Sequence, residues 1–144
     1  MGYLLDTIIV SDFVRYRQGA VAQHIRERGE ADVLTSIIVA AELRFGAAKL
    51  GAPRLTRRIE ETLSLIDVLP LRAPADRVYG ELRARLERAG LPLGANDLLI
   101  AAQAIAGGHT LVTADRGFAR IPELPCENWL AAAGDPGDPP AGVM

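Results

Sequence analysis

Tyr3-Leu4-Leu5-Asp6-Thr7 opens the chain with a short apolar run that stops on an acid. Three apolar residues bounded by a helix-starting Asp-Thr pair fit a buried strand that leads into a helix ending near Arg17. The alternation continues outward from there. Gly19 opens a helix over Ala20–Arg28 and Gly29 closes it, residues 32–35 read as a strand, and Ser36 caps a helix running to Leu50. A helix over about 54–66 leads to a strand at 68–71, and Pro74 starts a helix that runs to Ala89 and stops at Gly90. Asn96 or Asp97 caps a helix through Ala106, Gly107-Gly108 turns the chain into a strand at 110–113, and a last short strand falls near 125–127. Strands separated by helices pair in parallel through right-handed crossovers, so the predicted architecture is α/β, a central parallel sheet flanked by helices on both faces. Such sheets bind ligands at the carboxyl ends of their strands, which directs attention to the residues just after each strand.

Composition narrows the class. A chain of 144 residues with 49% hydrophobic and 24% charged residues predicts one domain with a core of its own. That domain is expected over 1–133, with the Pro-, Gly- and Asp-rich residues 134–144 as a disordered tail. The single cysteine, Cys126, excludes a disulfide framework and a CxxC knuckle, and reads as a small buried apolar residue. An acid at position 6 argues against a secretory signal. The longest nearly apolar run, 98–106, is far short of the roughly 20 residues a membrane span needs. A cytoplasmic protein is expected. Lys49 is the only lysine among 16 basic residues. Arginine grips phosphate and carboxylate with a planar fork, whereas a net charge of −2 speaks against a general nucleic-acid coat.

Four acids fall where this fold concentrates function. Asp6 follows the first strand, Asp115 follows the strand at 110–113, and Asp97 begins the helix that feeds that strand. Glu42 lies two turns into the helix that leaves the second strand. Each aspartate also stands where aspartate commonly caps a helix. Glu42 is four residues after Ile38 and three before Phe45, on or beside an apolar face, so it requires a cation, a hydrogen-bond partner or a proton. Arg44 is poorly placed to pair with it, because side chains two apart on a helix diverge. Converging carboxylates repel one another, and a hard divalent cation with oxygen ligands resolves the repulsion. Such a centre lowers the pKa of a bound water for attack on a phosphodiester, which is nuclease chemistry.

The stretches Tyr3-Leu-Leu-Asp6-Thr7, Thr35-Ser-Ile-Ile-Val-Ala-Ala-Glu42-Leu-Arg-Phe-Gly-Ala-Ala-Lys49 and Gly94-Ala-Asn-Asp97-Leu-Leu-Ile-Ala-Ala102 resemble the PIN-domain ribonucleases. More closely, they are similar to the VapC toxins of bacterial toxin–antitoxin pairs. Thr113-Ala-Asp115-Arg-Gly-Phe118, Arg120-Ile-Pro and Glu127-Asn-Trp129-Leu130 continue the resemblance in order, over about residues 3–130. The resemblance implies a PIN-like fold and a metal-dependent endoribonuclease acting on RNA. It also implies Mg²⁺ or Mn²⁺ as cofactor, a cognate VapB-type antitoxin and a homodimer. Position by position, it assigns Asp6, Glu42, Asp97 and Asp115 to the acidic site and Thr113 and Asn96 to its polar support. Asp6, Asp97 and Asp115 are the implied metal residues, with Asp6 and Asp97 direct and Asp115, like Glu42, acting through water or a second ion. Two departures stand out. Ile8 occupies a place where relatives often carry Asn, and the stretch between Thr113 and Phe118 is short.

Arg116 and Arg120 follow the acidic edge and are candidates to hold RNA phosphates. His24 and His109 match no acid–base or metal spacing, and Trp129 reads as core or dimer packing. There is no GxxxxGK[ST] and no GxGxxG after a strand, which excludes a P-loop and a dinucleotide fold. The alternative is a non-catalytic RNA- or protein-binding module of the same fold.

Overall fold

A computed structural model describes residues 2–130; the expected tail at 134–144 lies outside the described residues. Five strands form one sheet: β1 (Tyr3–Leu5), β2 (Val33–Ser36), β3 (Asp67–Leu69), β4 (Thr110–Val112) and β5 (Cys126–Glu127). Their order is β3-β2-β1-β4-β5, and every pairing is parallel. The helices are α1 (Thr7–Arg15), α2 (Ala20–Arg28), α3 (Ile37–Leu50), α4 (Pro53–Leu63), α5 (Ala75–Arg88) and α6 (Ala95–Gly107). The chain moves from β1 outward to β3, then returns past β1 to β4. Right-handed crossovers made in both directions put helices on both faces. Leu4 and Leu5 point to opposite faces of the sheet, and each is 0% exposed, so both faces of β1 are covered.

The reversal of strand order falls between β1 and β4, which is where this architecture opens a crevice at its carboxyl edge. Leu5 is in register with Val112, and the Asp6 N–H donates to the Val112 carbonyl at 3.1 Å, so the two strands end together. On the other side of β1, the Thr35 hydroxyl donates to the Leu5 carbonyl at 2.7 Å, which satisfies a fully buried hydroxyl. Gly108 closes α6 in the left-handed region at φ 69°, a turn that glycine makes without steric cost and that feeds β4.

Most expected elements are present, with shifted ends. α1 stops at Arg15 and α4 at Leu63, short of the expected Arg17 and 66. β3 takes up Asp67, and Pro74 stands one place before α5 as its cap residue. Neither Asn96 nor Asp97 caps α6. Gly94 takes the extended cap geometry at φ −61°, ψ 153° without a side-chain bond, which leaves Asn96 and Asp97 inside the first turn. Cys126 is exposed, contrary to its apolar reading, because β5 is a two-residue strand at the edge of the sheet. Trp129 is buried as expected. His24 stacks on it at 5.1 Å, Arg28 lies over it at 5.0 Å, and its Nε1–H donates to Glu127 at 2.9 Å. No helix of the described residues is long and apolar enough to cross a membrane.

Candidate active site at the carboxyl edge

Asp6 leaves β1 and caps α1, with its Oδ1 accepting the Ile9 N–H at 3.2 Å. The cap and the functional position are one residue, and it is only 7% exposed. Burial is the main reason that its carboxyl is pushed up to about 6. Hydrogen bonds from the Thr113 hydroxyl and the Ile9 N–H work against that shift, while the charges of Asp97 and Asp115 add to it. A buried acid without a cation holds its proton unless positive charge is brought to it.

Asp115 follows β4 and caps a 3₁₀ turn over Arg116–Arg120, its Oδ1 accepting the Gly117 N–H at 2.8 Å. Its own N–H donates to the Thr113 Oγ1 at 3.0 Å. Thr113, 4% exposed, therefore holds both the acid at the end of β1 and the acid at the end of β4. The short stretch after Thr113 does not displace Asp115, since its charge acts on both Asp6 and Asp97.

Asp97 is half-buried in the first turn of α6, and its carboxyl is raised by burial first, then by Asp115 and Glu42. Glu42 reaches in from α3. The Thr7 hydroxyl donates to its Oε1, and Asn96 Nδ2 donates to its Oε2 at 3.3 Å. Its requirement for partners is met by hydrogen bonds. Arg44 instead pairs with Glu60 through two 2.8 Å bonds. Thr7 is the supporting residue that sequence reasoning missed. Its signal was its place directly after Asp6 at the first position of α1.

Arg120 is exposed and donates to the Pro92 carbonyl at 3.0 Å, which steadies the segment before α6. Arg116 is also exposed and engaged in an interaction of its own. None of the four acids is ion-paired with a basic side chain among the described residues.

The donor set fits a hard cation. It is made of carboxylate oxygens with hydroxyl and amide support, and it includes a buried acid with no cationic partner. Among the described residues, however, no three of His, Cys, Asp and Glu stand close enough to form one ligand cluster. That spacing suits an ion that keeps most of its waters and takes one or two carboxylates directly, which is the habit of Mg²⁺.

The PIN domain model matches residues 3–124, which is most of the chain and includes all four acids. The chain belongs to the PIN-domain family. Within that family it is 36% identical over 132 residues to ribonuclease VapC2 of Rickettsia felis, covering 90% of this chain and 98% of that one. It is 38% identical over 112 residues to the tRNA(fMet)-specific endonuclease VapC of Salmonella typhimurium, covering 74% and 85%. PIN folds already solved superpose closely. VapBC2 of Rickettsia felis bound to a DNA fragment from its promoter matches with a TM-score of 0.82 at 36% identity, over 90% of this chain and 99% of that one. DNA-bound VapBC of Salmonella typhimurium matches with a TM-score of 0.84 at 30% identity, over 90% and 98%.

Proposed function

We propose that this chain is the toxin of a cytoplasmic toxin–antitoxin pair, an endoribonuclease that hydrolyses RNA phosphodiester bonds with Mg²⁺, or Mn²⁺ in its place. One domain over residues 1–133 carries the activity. The observation that carries this reading is the acid set at the β1/β4 switch, where Asp6 has no cationic partner among the described residues and its carboxyl is raised by burial first and then by Asp97 and Asp115. Asp6 and Asp97 would hold the cation, with Asp115 and Glu42 acting through its waters. When bound, the ion lowers the pKa of a water and offsets charge on the phosphodiester. The chain's own groups position the acids. Thr113 holds Asp6 and Asp115, while Thr7 and Asn96 aim Glu42.

The wider surface supports an antitoxin of VapB type. Ile8, Phe45 and Leu50 are 58%, 67% and 71% exposed on α1 and α3, and a cleft of about 200 Å³ opens between Ser11, Val14, Leu43, Leu55 and Ile59. Glu42 stands at the rim of that cleft, so an apolar antitoxin helix seated there would reach the acidic edge, and an arginine of the antitoxin would neutralise it. A homodimer is expected from the same family relation. Adding the antitoxin should stop cleavage, and an inactive complex with an open acidic edge would refute this mode of inhibition.

Cleavage of labelled tRNA(fMet) and a structured RNA, with and without Mg²⁺ or Mn²⁺, tests the reading. Wild-type protein should cut only with metal, and folded Asp6→Asn and Asp97→Asn should each lose at least about 100-fold, the typical contribution of a positioned catalytic group. The spread of the carboxylates favours one alternative, a non-catalytic RNA- or protein-binding module. RNA binding without cuts under any metal would establish that alternative.

A further inference from the structure

Three of the four acids have hydrogen bonds that aim them. Asp6 accepts from the Ile9 N–H and the Thr113 hydroxyl, Asp115 from the Gly117 N–H, and Glu42 from Thr7 and Asn96. No hydrogen bond reaches the Asp97 carboxylate among the described residues; burial and the charges of Asp115 and Glu42 act on it instead. Its place is therefore set by its backbone, in the first turn of α6. Gly94 caps that turn without a side-chain bond, so the cap itself does not fix it. Pro92, two places earlier, has no N–H, and its carbonyl is the one backbone group by which it can be tied.

Arg120 takes that carbonyl. Its Nη1 donates to the Pro92 oxygen at 3.0 Å, across 28 positions of sequence. The base from which it reaches is firm, since Arg120 ends the 3₁₀ turn over Arg116–Arg120, and Phe118 and Ile121 on either side of it are each 1% exposed. Leu93 lies against the same turn: a Cβ on Gly117 would stand only 3.2 Å from Leu93 Cδ2. Asp115 caps this turn at its start. One short turn thus carries Asp115 at one end and, through Arg120 and Leu93, holds the segment from which Asp97 is launched.

We propose that Arg120 is a positioning residue for the acidic site, fixing the spacing of Asp97 and Asp115 by tying Pro92 to the turn that Asp115 caps. The proposal rests on the nuclease reading above, and it gives Arg120 a task other than the RNA phosphate contact expected from its position. Charge alone predicts the reverse effect on a cation. Removing a guanidinium from the turn that carries Asp115 strengthens the hold of the acids on a divalent ion, because a repulsion is lost. Loss of the tie weakens that hold, because Asp97 is no longer kept in place.

The test compares full-length wild type with Arg120→Ala and Arg120→Lys. The Leu98 N–H donates to the Gly94 carbonyl at 2.9 Å, the first bond of α6. In RNA-free, metal-free Arg120→Ala its hydrogen exchange should quicken about tenfold, while the β1 amides keep their wild-type rates, which marks a local release. Mn²⁺ affinity by calorimetry should fall about tenfold, the cost of losing a group that orients a metal ligand. With RNA, kcat should fall by a similar factor at unchanged KM. Arg120→Lys, which keeps a donor, should recover most of all three. Unchanged Leu98 exchange, or Mn²⁺ binding as tight as wild type, in Arg120→Ala would overturn the proposal. So would a raised KM with a flatter salt dependence of RNA binding, the mark of a phosphate contact. Wild type that takes no Mn²⁺ and cuts no RNA would instead sink the nuclease reading, and the Leu98 exchange, which needs neither, separates that failure from a failure of the tie.

Discussion

The Thr7 hydroxyl donates to the Glu42 carboxylate, joining the first residue of α1 to the second turn of α3 across 35 positions of sequence. Asn96 holds the other oxygen of the same carboxylate. Glu42 is therefore aimed by two elements other than its own. Thr7→Val should release one oxygen and lower the cleavage rate about tenfold, the scale of a hydrogen bond to a charged group. Thr7→Ser should restore most of it. Rates for the two variants at saturating metal check this, and equal rates for Val and wild type would remove Thr7 from the site.

Asp6 makes stability depend on pH in an unusual direction. Its carboxyl stands at about 6 in the fold against 3.8 ordinarily, so between these values the folded chain keeps a proton that the unfolded chain has lost. The sign follows from linkage. This group's contribution is fullest below 3.8, falls as pH rises toward 6, and is gone above that. The loss is on the order of 1–3 kcal/mol. Asparagine caps as well as aspartate and carries no charge. In EDTA at pH 7.5, Asp6→Asn should melt above wild type, and the gap should close by pH 4. Added Mg²⁺ should raise wild type more than the variant. Thermal melts across this pH range decide the matter, and parallel curves for the two proteins would refute it.

Arg28 secures the last described turn of the chain. Its guanidinium lies over Tyr3 at 5.3 Å and Trp129 at 5.0 Å, donates to Glu127 at 3.1 Å, and bonds to His24 Nδ1 at 2.8 Å. Guanidinium only donates, so His24 accepts through Nδ1 and carries its hydrogen on Nε2. Arg28→Met should cost about 2 kcal/mol, summed over the stacking and the partly buried hydrogen bonds. Trp129 is the only tryptophan, so its fluorescence reports on this corner alone. An unchanged spectrum together with an unchanged melting temperature would show that Arg28 is dispensable.

Cys126 sits at the exposed sheet edge, yet its thiol is pushed up to about 11 by burial first and then by the charge of Asp6. Its Sγ–H points at the Leu124 carbonyl, 3.6 Å away. Since the thiolate is the reactive species, alkylation at pH 7.5 should run at least tenfold slower than for a free cysteine. Timed labelling of native protein read by mass spectrometry measures this. A rate equal to that of free cysteine would show the sulfur unprotected.

What the sequence made legible follows the range of each interaction. Leu4-Leu5 announced a strand covered on both faces, and the glycines after α2 and α6 announced where those helices stop, because both signals are local. Three of the acids were visible because Asp6 and Asp115 follow strands and Asp97 begins the helix that feeds one, and Glu42 because an acid beside an apolar helix face needs a partner. Helix ends were less legible. Pro74 and Asn96 have suitable chemistry for the roles expected of them, but Gly94 and the turn before α5 settle the actual cap. Asn96 was legible as polar support of the site, but its pairing with Glu42, and that of Thr7, was not. Thr7 and Asn96 meet it only after three helices have packed, and nothing in a window of ten residues carries that. Cys126 was misread for a related reason, since whether a strand lies at the edge depends on the order of all five.

That order also governs when the protein becomes dangerous. β1 is made before the other four strands but lies in the middle of the sheet, and its partner β4 is not made until residues 110–112. Until then Asp6 has neither the Val112 carbonyl behind it nor Thr113 and Asp115 beside it. Contacts this distant in sequence form late. The growing chain thus carries its first acid as an unarmed fragment for more than a hundred residues, and the acidic edge closes only once β4 and the residues just after it have been made.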